Sequence, residues 1–358
     1  MIDTAEQQHA TLALRLLSDQ GGARPPGITV DWPLLLALAQ QNGVLVRLAE
    51  QLERGGLRPP AFFAAAAERQ RERAEAARSV MRHIADRCAR HGIHFLFPTA
   101  WQHFPDVGGD LDLLVLSRAR RVDAFILEGM AASLRAPDLR DRLAGTALYW
   151  LREPGLALDV HHGRLGVVGE HTAYPADLIR RRQSRMLAEE EYFVPAPEDQ
   201  LILQGMSRVA GRRSFRLADA AATIRIIRGP PLDWGFVVSV AQHMGVLPGL
   251  CCYLSYVDQI YGALYEHHLL PPEARQTLAI DGWGSVAFRQ GRYRFPSLWI
   301  RNRLYWRQLA TVAGAGEWRV ASRLCLVPAM VVACSLGLVG RDAVEATASI
   351  AALAMGAL

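Results

Sequence analysis

The chain has 358 residues, 51% of them hydrophobic, with 35 acidic side chains and 40 basic ones that are all arginine, for a formal net charge of +5. At about 150 residues per domain this length predicts roughly two domains, each apolar enough to bury a core, which excludes disordered and fibrous classes. With no lysine, Schiff-base chemistry and a P-loop lysine are excluded, so an anionic ligand must be held by arginine, metal or backbone amides.

The first 92 residues read as helical. Leu, Ala, Arg and Glu run through Val30–Arg54 and Ala61–His91, and Gly55-Gly56 and Pro59-Pro60 stop the helices between them. Opposite charges recur three and four residues apart in Glu68-Arg69-Gln70-Arg71-Glu72-Arg73, the pattern of a solvated helical face and not of a nucleic-acid patch.

The character changes at Gly92. Ile93-His94-Phe95-Leu96-Phe97 is an apolar run of strand length, and Pro98-Thr99-Ala100 ends it and opens a short helix. Asp110-Leu111-Asp112-Leu113-Leu114-Val115-Leu116 predicts a second strand, followed by a helix over Arg121–Leu134. Strands are expected at Ala147–Leu151 and Leu156–His161, joined as a hairpin through the turn Glu153-Pro154-Gly155. From Pro195-Ala196-Pro197 the pattern is helical again, with Glu198 and Asp199 placed to complement the helix dipole. The fold class expected is α+β: a small mixed-sheet core at 93–195, between a helical region at 1–92 and a helical domain at 196–358.

Cys88, Cys251, Cys252, Cys325 and Cys334 are odd in number and lack CxxC spacing, which predicts no disulfide framework and fits a reducing cytoplasm. The start of the chain has no basic n-region or apolar h-region, so no secretory leader is expected. Leu324–Gly340 carries no charge but includes Pro328, at the lower edge of a spanning length; a buried C-terminal helix is the reading, with peripheral membrane contact as its alternative.

The chemistry concentrates on one strand. Residues two apart point to the same face, so Asp110 and Asp112 project together while Leu111 and Leu113 enter the core. Two carboxylates that close repel unless a cation lies between them. A bare DxD is also compatible with one carboxylate capping a turn and the other facing water. Here Gly108-Gly109 precedes the pair, open to close backbone approach by a phosphate, and Asp159 lies in a second apolar strand. If the two strands are neighbours, three carboxylates converge on one edge, an oxygen-rich arrangement suited to Mg2+. His161 shares the face of Asp159 and is either a structural histidine hydrogen-bonded in the sheet or a nitrogen ligand or substrate contact, which would favour Mn2+ or zinc; His162 faces the other way.

These residues resemble a family. Gly108-Gly109-Asp110-Leu111-Asp112-Leu113-Leu114-Val115, with Leu158-Asp159-Val160-His161, looks like the nucleotidyltransferase superfamily, and more narrowly like an uncharacterised bacterial nucleotidyltransferase family. Pro197-Glu198-Asp199-Gln200-Leu201-Ile202-Leu203, Arg216-Leu217-Ala218-Asp219 and Leu232-Asp233-Trp234 are similar to that family's helical half, so the resemblance covers roughly residues 80 to 265.

The resemblance implies that Asp110 and Asp112 bind two metal ions, Mg2+ or Mn2+, with a nucleoside triphosphate such as ATP, and that Asp159 joins them and can activate the acceptor hydroxyl. The product would be a nucleoside monophosphate linked to a small-molecule, peptide or protein acceptor, with pyrophosphate released. Thr99, Gly108, Gly109, Arg208 and Arg212 are the nucleotide-binding candidates; Asp219 either holds one of Arg208, Arg212 and Arg213 in place or lies on an exposed helix face. Where family members usually carry Lys-Gly after the first strand, this chain has Phe97-Pro98-Thr99-Ala100, and Pro98 offers no amide. The alternative is a catalytically silent binding protein of this fold, serving partner or peptide recognition in a biosynthetic system. His267-His268 reads as exposed loop, and Trp283, Tyr293, Trp299, Tyr305 and Trp306 as packing or an acceptor pocket.

Overall fold

Four helices lead the chain: α1 (Ala5–Ser18), α2 (Trp32–Asn42), α3 (Leu45–Arg54) and α4 (Ala61–Arg90). The computed structural model describes residues 5–18, 29–117, 119–210, 214–278, 282–295 and 298–329. The helical run over Val30–Arg54 is divided in two, because Gly43 takes a φ of +61° and turns its N–H back on the carbonyls of Ala39 and Gln40. That left-handed cap is inexpensive only for glycine. Asp31 starts α2, its carboxylate accepting the Leu34 N–H.

A five-stranded sheet follows, of β1 (His94–Leu96), β2 (Asp110–Leu116), β3 (Ala132–Leu134), β4 (Thr146–Leu151) and β5 (Leu156–His162), in the order β1-β2-β5-β4-β3. β2 and β5 run parallel, and the other neighbours are antiparallel. The expected hairpin is β4–β5. The short helix α5 (Ala100–His103) lies between β1 and β2, α6 (Ala119–Gly129) leads from β2 to β3, and α7 (Leu139–Ala144) from β3 to β4. The helix expected over Arg121–Leu134 therefore ends five residues early. Its buried face is complete at Val122, Phe125 and Ile126, and Ala131, at φ 47°, turns the chain into β3 at the sheet edge.

Strand alternation divides the sheet between two cores. Leu111, Leu113, Val115, Leu158 and Val160 pack with Met81, Ile84 and Cys88 of α4 and with the buried side of α6. On the opposite face, Leu96 and Leu114 join a larger core that runs from Ala10 and Leu48 to Phe215, Leu250 and Tyr253. Helices from both ends of the chain thus share one core against the sheet face that also carries the aspartates.

The C-terminal half consists of α8 (Tyr174–Arg180), α9 (Pro197–Ala210), α10 (Leu217–Ile227), α11 (Trp234–His243), α12 (Leu247–Tyr265), α13 (Pro272–Leu278), α14 (Leu298–Gly314) and α15 (Trp318–Leu324). It is not purely helical. A hairpin of β6 (Gln183–Leu187) and β7 (Glu190–Val194) follows α8, and β8 (Ser214–Phe215), β9 (Ala287–Arg289) and β10 (Arg292–Arg294) form a separate three-stranded sheet. Strands of two or three residues are too short to show a period of two. Their reward is aromatic packing: Phe215 stacks on Tyr293 at 5.2 Å and meets Phe295 at 5.5 Å.

Among the described residues no helix is long and apolar enough to cross a membrane. Most of Leu324–Gly340 lies outside them.

Candidate active site

The site is built where β2 and β5 run side by side. Their parallel register sets Asp112 directly opposite Asp159, with Asp110 opposite Ala157 and Leu114 opposite His161. Side chains paired across neighbouring strands share a face, so Asp110, Asp112, Asp159 and His161 all project from the face opposite the α4 and α6 helices. His161 Nε2 stands 3.7 Å from Asp112 Oδ1 and 3.8 Å from Asp159 Oδ2. One ligand atom from each of Asp112, Asp159 and His161 lies within 4.8 Å of the others, in the one such grouping of histidine, cysteine and carboxylate side chains among the described residues. Asp110, at the exposed start of the strand, is outside that trio.

The trio brings two carboxylates and an imidazole into one crowded group. Burial pushes the Asp159 carboxyl up to about 6, helped by the negative charges of Asp112, Asp110 and Asp141 and opposed by His161. Burial works against a charged His161, but the nearby carboxylates of Asp112 and Asp159 prevail and raise its pKa from the ordinary histidine value. The carboxylates crowd each other, and His161 relieves them only in part. A divalent cation fits this donor set of two oxygens and a nitrogen.

That crowding has a cost that can be measured. A carboxyl whose folded value lies above its unfolded one binds its proton more tightly when folded, so the contribution of Asp159 to the stability of the metal-free protein falls as pH rises from about 4 to 6. Asp159→Asn removes the unfavourable charge. At pH 7.5 without metal, the variant is expected to be more stable than the wild type by about 1 to 2 kcal/mol after allowance for solvent screening. The gain shrinks at pH 5, and added Mn2+ raises the melting temperature of the wild type only. Thermal denaturation at the two pH values, with and without Mn2+, checks all three.

The remaining sequence candidates take varied places. Thr99, where the chain enters α5, donates its hydroxyl to Asp112 Oδ2 in a short hydrogen bond. Gly108 and Gly109 form the approach to β2, and the Gly109 carbonyl accepts the Ala157 N–H at 3.0 Å, which helps fix the β2–β5 register. A side chain at Gly108 would place Cβ 3.3 Å from Asp110 Oδ1. Arg208 is in the last turn of α9, its side chain outside the described residues, and Arg212 lies outside them altogether.

Asp219 is buried, not on an exposed helix face, and the arginine it accepts from is Arg216, whose N–H lies at 2.8 Å at the start of α10, with His103 beside it at 3.4 Å. Asp199, in the first turn of α9 as expected, is buried and accepts from Tyr174 and Arg181. His162, as expected, is on the opposite side of the sheet, 3.9 Å from Asp123, which also accepts the Tyr149 hydroxyl. His267 and His268 are exposed, and Trp283 and Tyr293 are buried in packing, while Trp306 is exposed. Sequence reading passed over Trp150, which projects from the same sheet face as the aspartates. In Leu148-Tyr149-Trp150-Leu151 every residue is apolar, so no alternation marks which face is which.

No curated protein and no solved structure shows significant similarity to the chain. One family model does, that of an uncharacterised nucleotidyltransferase family, matched by residues 29–262, a span that holds Thr99, Asp110, Asp112, Asp159, His161 and the helices through most of α12. With well over half of its length matched, the chain belongs to this uncharacterised nucleotidyltransferase family.

Proposed function

We propose that the protein transfers a nucleoside monophosphate from a nucleoside triphosphate to an acceptor group, a hydroxyl, phosphate or carboxylate on a small molecule, peptide or protein, and releases pyrophosphate. The observation that carries this reading is the parallel register that places Asp112 opposite Asp159 with His161 beside both. Asp112, Asp159 and His161 would hold a divalent cation, with Asp110 binding a second one together with the triphosphate. Bound there, the cations supply charge neutralisation for the attacking and leaving oxygens.

The chain's own residues do the rest. Asp159, on the same face, accepts the proton of the acceptor hydroxyl as that oxygen forms its bond to the α-phosphorus. The bond between the α-phosphorus and the bridging oxygen breaks, and its electron pair leaves with pyrophosphate. Thr99 holds the Asp112 carboxylate in one orientation through its hydroxyl. Reaction by positioning and electrostatics needs no covalent intermediate.

The nitrogen of His161 shifts metal preference from Mg2+ toward Mn2+. Cys88, Cys251, Cys252 and Cys325 are all free thiols, which suits a cytoplasmic setting. Neither the mild net charge nor the charge-alternating α4 supports a nucleic-acid partner.

A second reading draws on one observation: Pro98 has no amide to offer a phosphate and the Thr99 hydroxyl is engaged by Asp112. On that reading the protein is a silent member of the fold that recognises a partner or peptide. Incubation with α-labelled triphosphates, Mn2+ or Mg2+ and a fractionated cell extract separates the two. Transfer of the label with stoichiometric pyrophosphate is expected for the enzyme; binding of an extract component with no release of pyrophosphate is the result for the silent protein.

A further inference from the structure

The sheet face that carries the aspartates continues beyond them, and the registers lay it out in rows. Asp110, Ala157, Trp150 and Ser133 form one row across β2, β5, β4 and β3. Asp112, Asp159 and Leu148 form the next, extended by Arg135, whose N–H donates to the Leu148 carbonyl. Leu114, His161 and Thr146 form the third.

In β4 the two faces differ sharply. Tyr149 and Leu151 are fully buried in the α4/α6 core, whereas Trp150 between them is 50% exposed on the aspartate side. A lone exposed tryptophan needs no explanation. The position of this one is informative. It is one strand and one row from Asp159, a diagonal separation of roughly 7 to 8 Å, and about 10 Å from Asp110 across two strand spacings. The sheet positions between the indole and the carboxylates are Ala157 and Leu148, both uncharged and partly exposed. At the far rim Arg135 is paired with Asp141 at 2.9 Å, so charge returns on the other side of the tryptophan.

We propose that Trp150 is the nucleobase platform of this site: with the triphosphate held over β2 and β5, the nucleoside lies across β4 and its base stacks on the indole. The inference rests on the nucleotidyl-transfer reading above and adds where the nucleoside goes. Stacking on an aromatic ring uses the π-face that every base has, so the platform favours nucleotides over free polyphosphate while discriminating little among bases.

Calorimetric titration of the full chain in Mn2+ with ATP and, separately, with inorganic tripolyphosphate tests it, using Trp150→Ala and Trp150→Phe. Trp150→Ala is expected to weaken ATP roughly tenfold to a hundredfold and to leave tripolyphosphate unchanged, while Trp150→Phe keeps most of the ATP affinity. Unchanged ATP binding in Trp150→Ala, or equal weakening of ATP and tripolyphosphate, overturns the platform and leaves the nucleotidyl-transfer reading standing. If neither ligand binds the wild type, the transfer reading itself fails and takes the platform with it.

Discussion

Asp112→Ala is expected to lower Mn2+ affinity on the order of a hundredfold or more, because it removes one of three converging ligand atoms and the carboxylate that both Thr99 and His161 engage. Asp159→Ala should do the same. Asp110→Ala is expected to behave differently: its carboxylate is outside the trio, so Mn2+ alone binds within a few fold of wild type, and the loss appears when triphosphate is added. Electron paramagnetic resonance of free Mn2+ during titration, repeated with ATP, resolves the two behaviours. Equal loss for all three variants in the absence of nucleotide would contradict the assignment of the primary site to Asp112, Asp159 and His161.

The largest loss of stability is expected at Asp106. This carboxylate is 3% exposed and reaches from the β1–β2 connection to the start of α3. There it accepts the Val46 N–H at 2.6 Å, the Arg47 N–H at 3.3 Å and Arg47 Nε at 2.8 Å. Val44, at the N-cap of α3, makes no side-chain cap, so Asp106 supplies from a distant segment the acceptor and the negative charge that the helix start lacks. Asp106→Ala leaves a buried N–H and an enclosed guanidinium without their partner, at a cost of about 3 kcal/mol in urea denaturation. Asp106→Asn keeps an acceptor for the amides and is expected to cost less. A loss below about 1 kcal/mol in the alanine variant would show that water replaces the carboxylate, and that the anchor is not where the stability lies.

The parts of this fold that were legible in the sequence are those where alternation is strict. Asp110-Leu111-Asp112-Leu113 and Leu158-Asp159-Val160-His161 show their faces directly, and His161 follows Asp159 to the site by the two-residue period. What no local pattern contains is that β2 and β5 are neighbours, since four elements separate them in the chain. Only the resemblance to a family suggested the pairing. The α6–β3 boundary was hidden for another reason: Ala132–Leu134 is three residues long at a sheet edge, and its polarity reads equally well as a helix end. The role of Asp199 also depended on partners far away in the chain, Tyr174 and Arg181, so its burial had no signal in the helix that carries it.

The central claim is that Asp112, Asp159 and His161 form a cation site at which a triphosphate is bound for transfer. It is tested most directly by calorimetric titration of the protein with each of the four ribonucleoside triphosphates, with Mn2+, with Mg2+ and with neither, alongside Asp112→Ala. Cation-dependent binding of at least one triphosphate, abolished in folded Asp112→Ala protein, is the predicted result. Absence of binding by folded wild-type protein under every condition, or binding that survives Asp112→Ala undiminished, would contradict it.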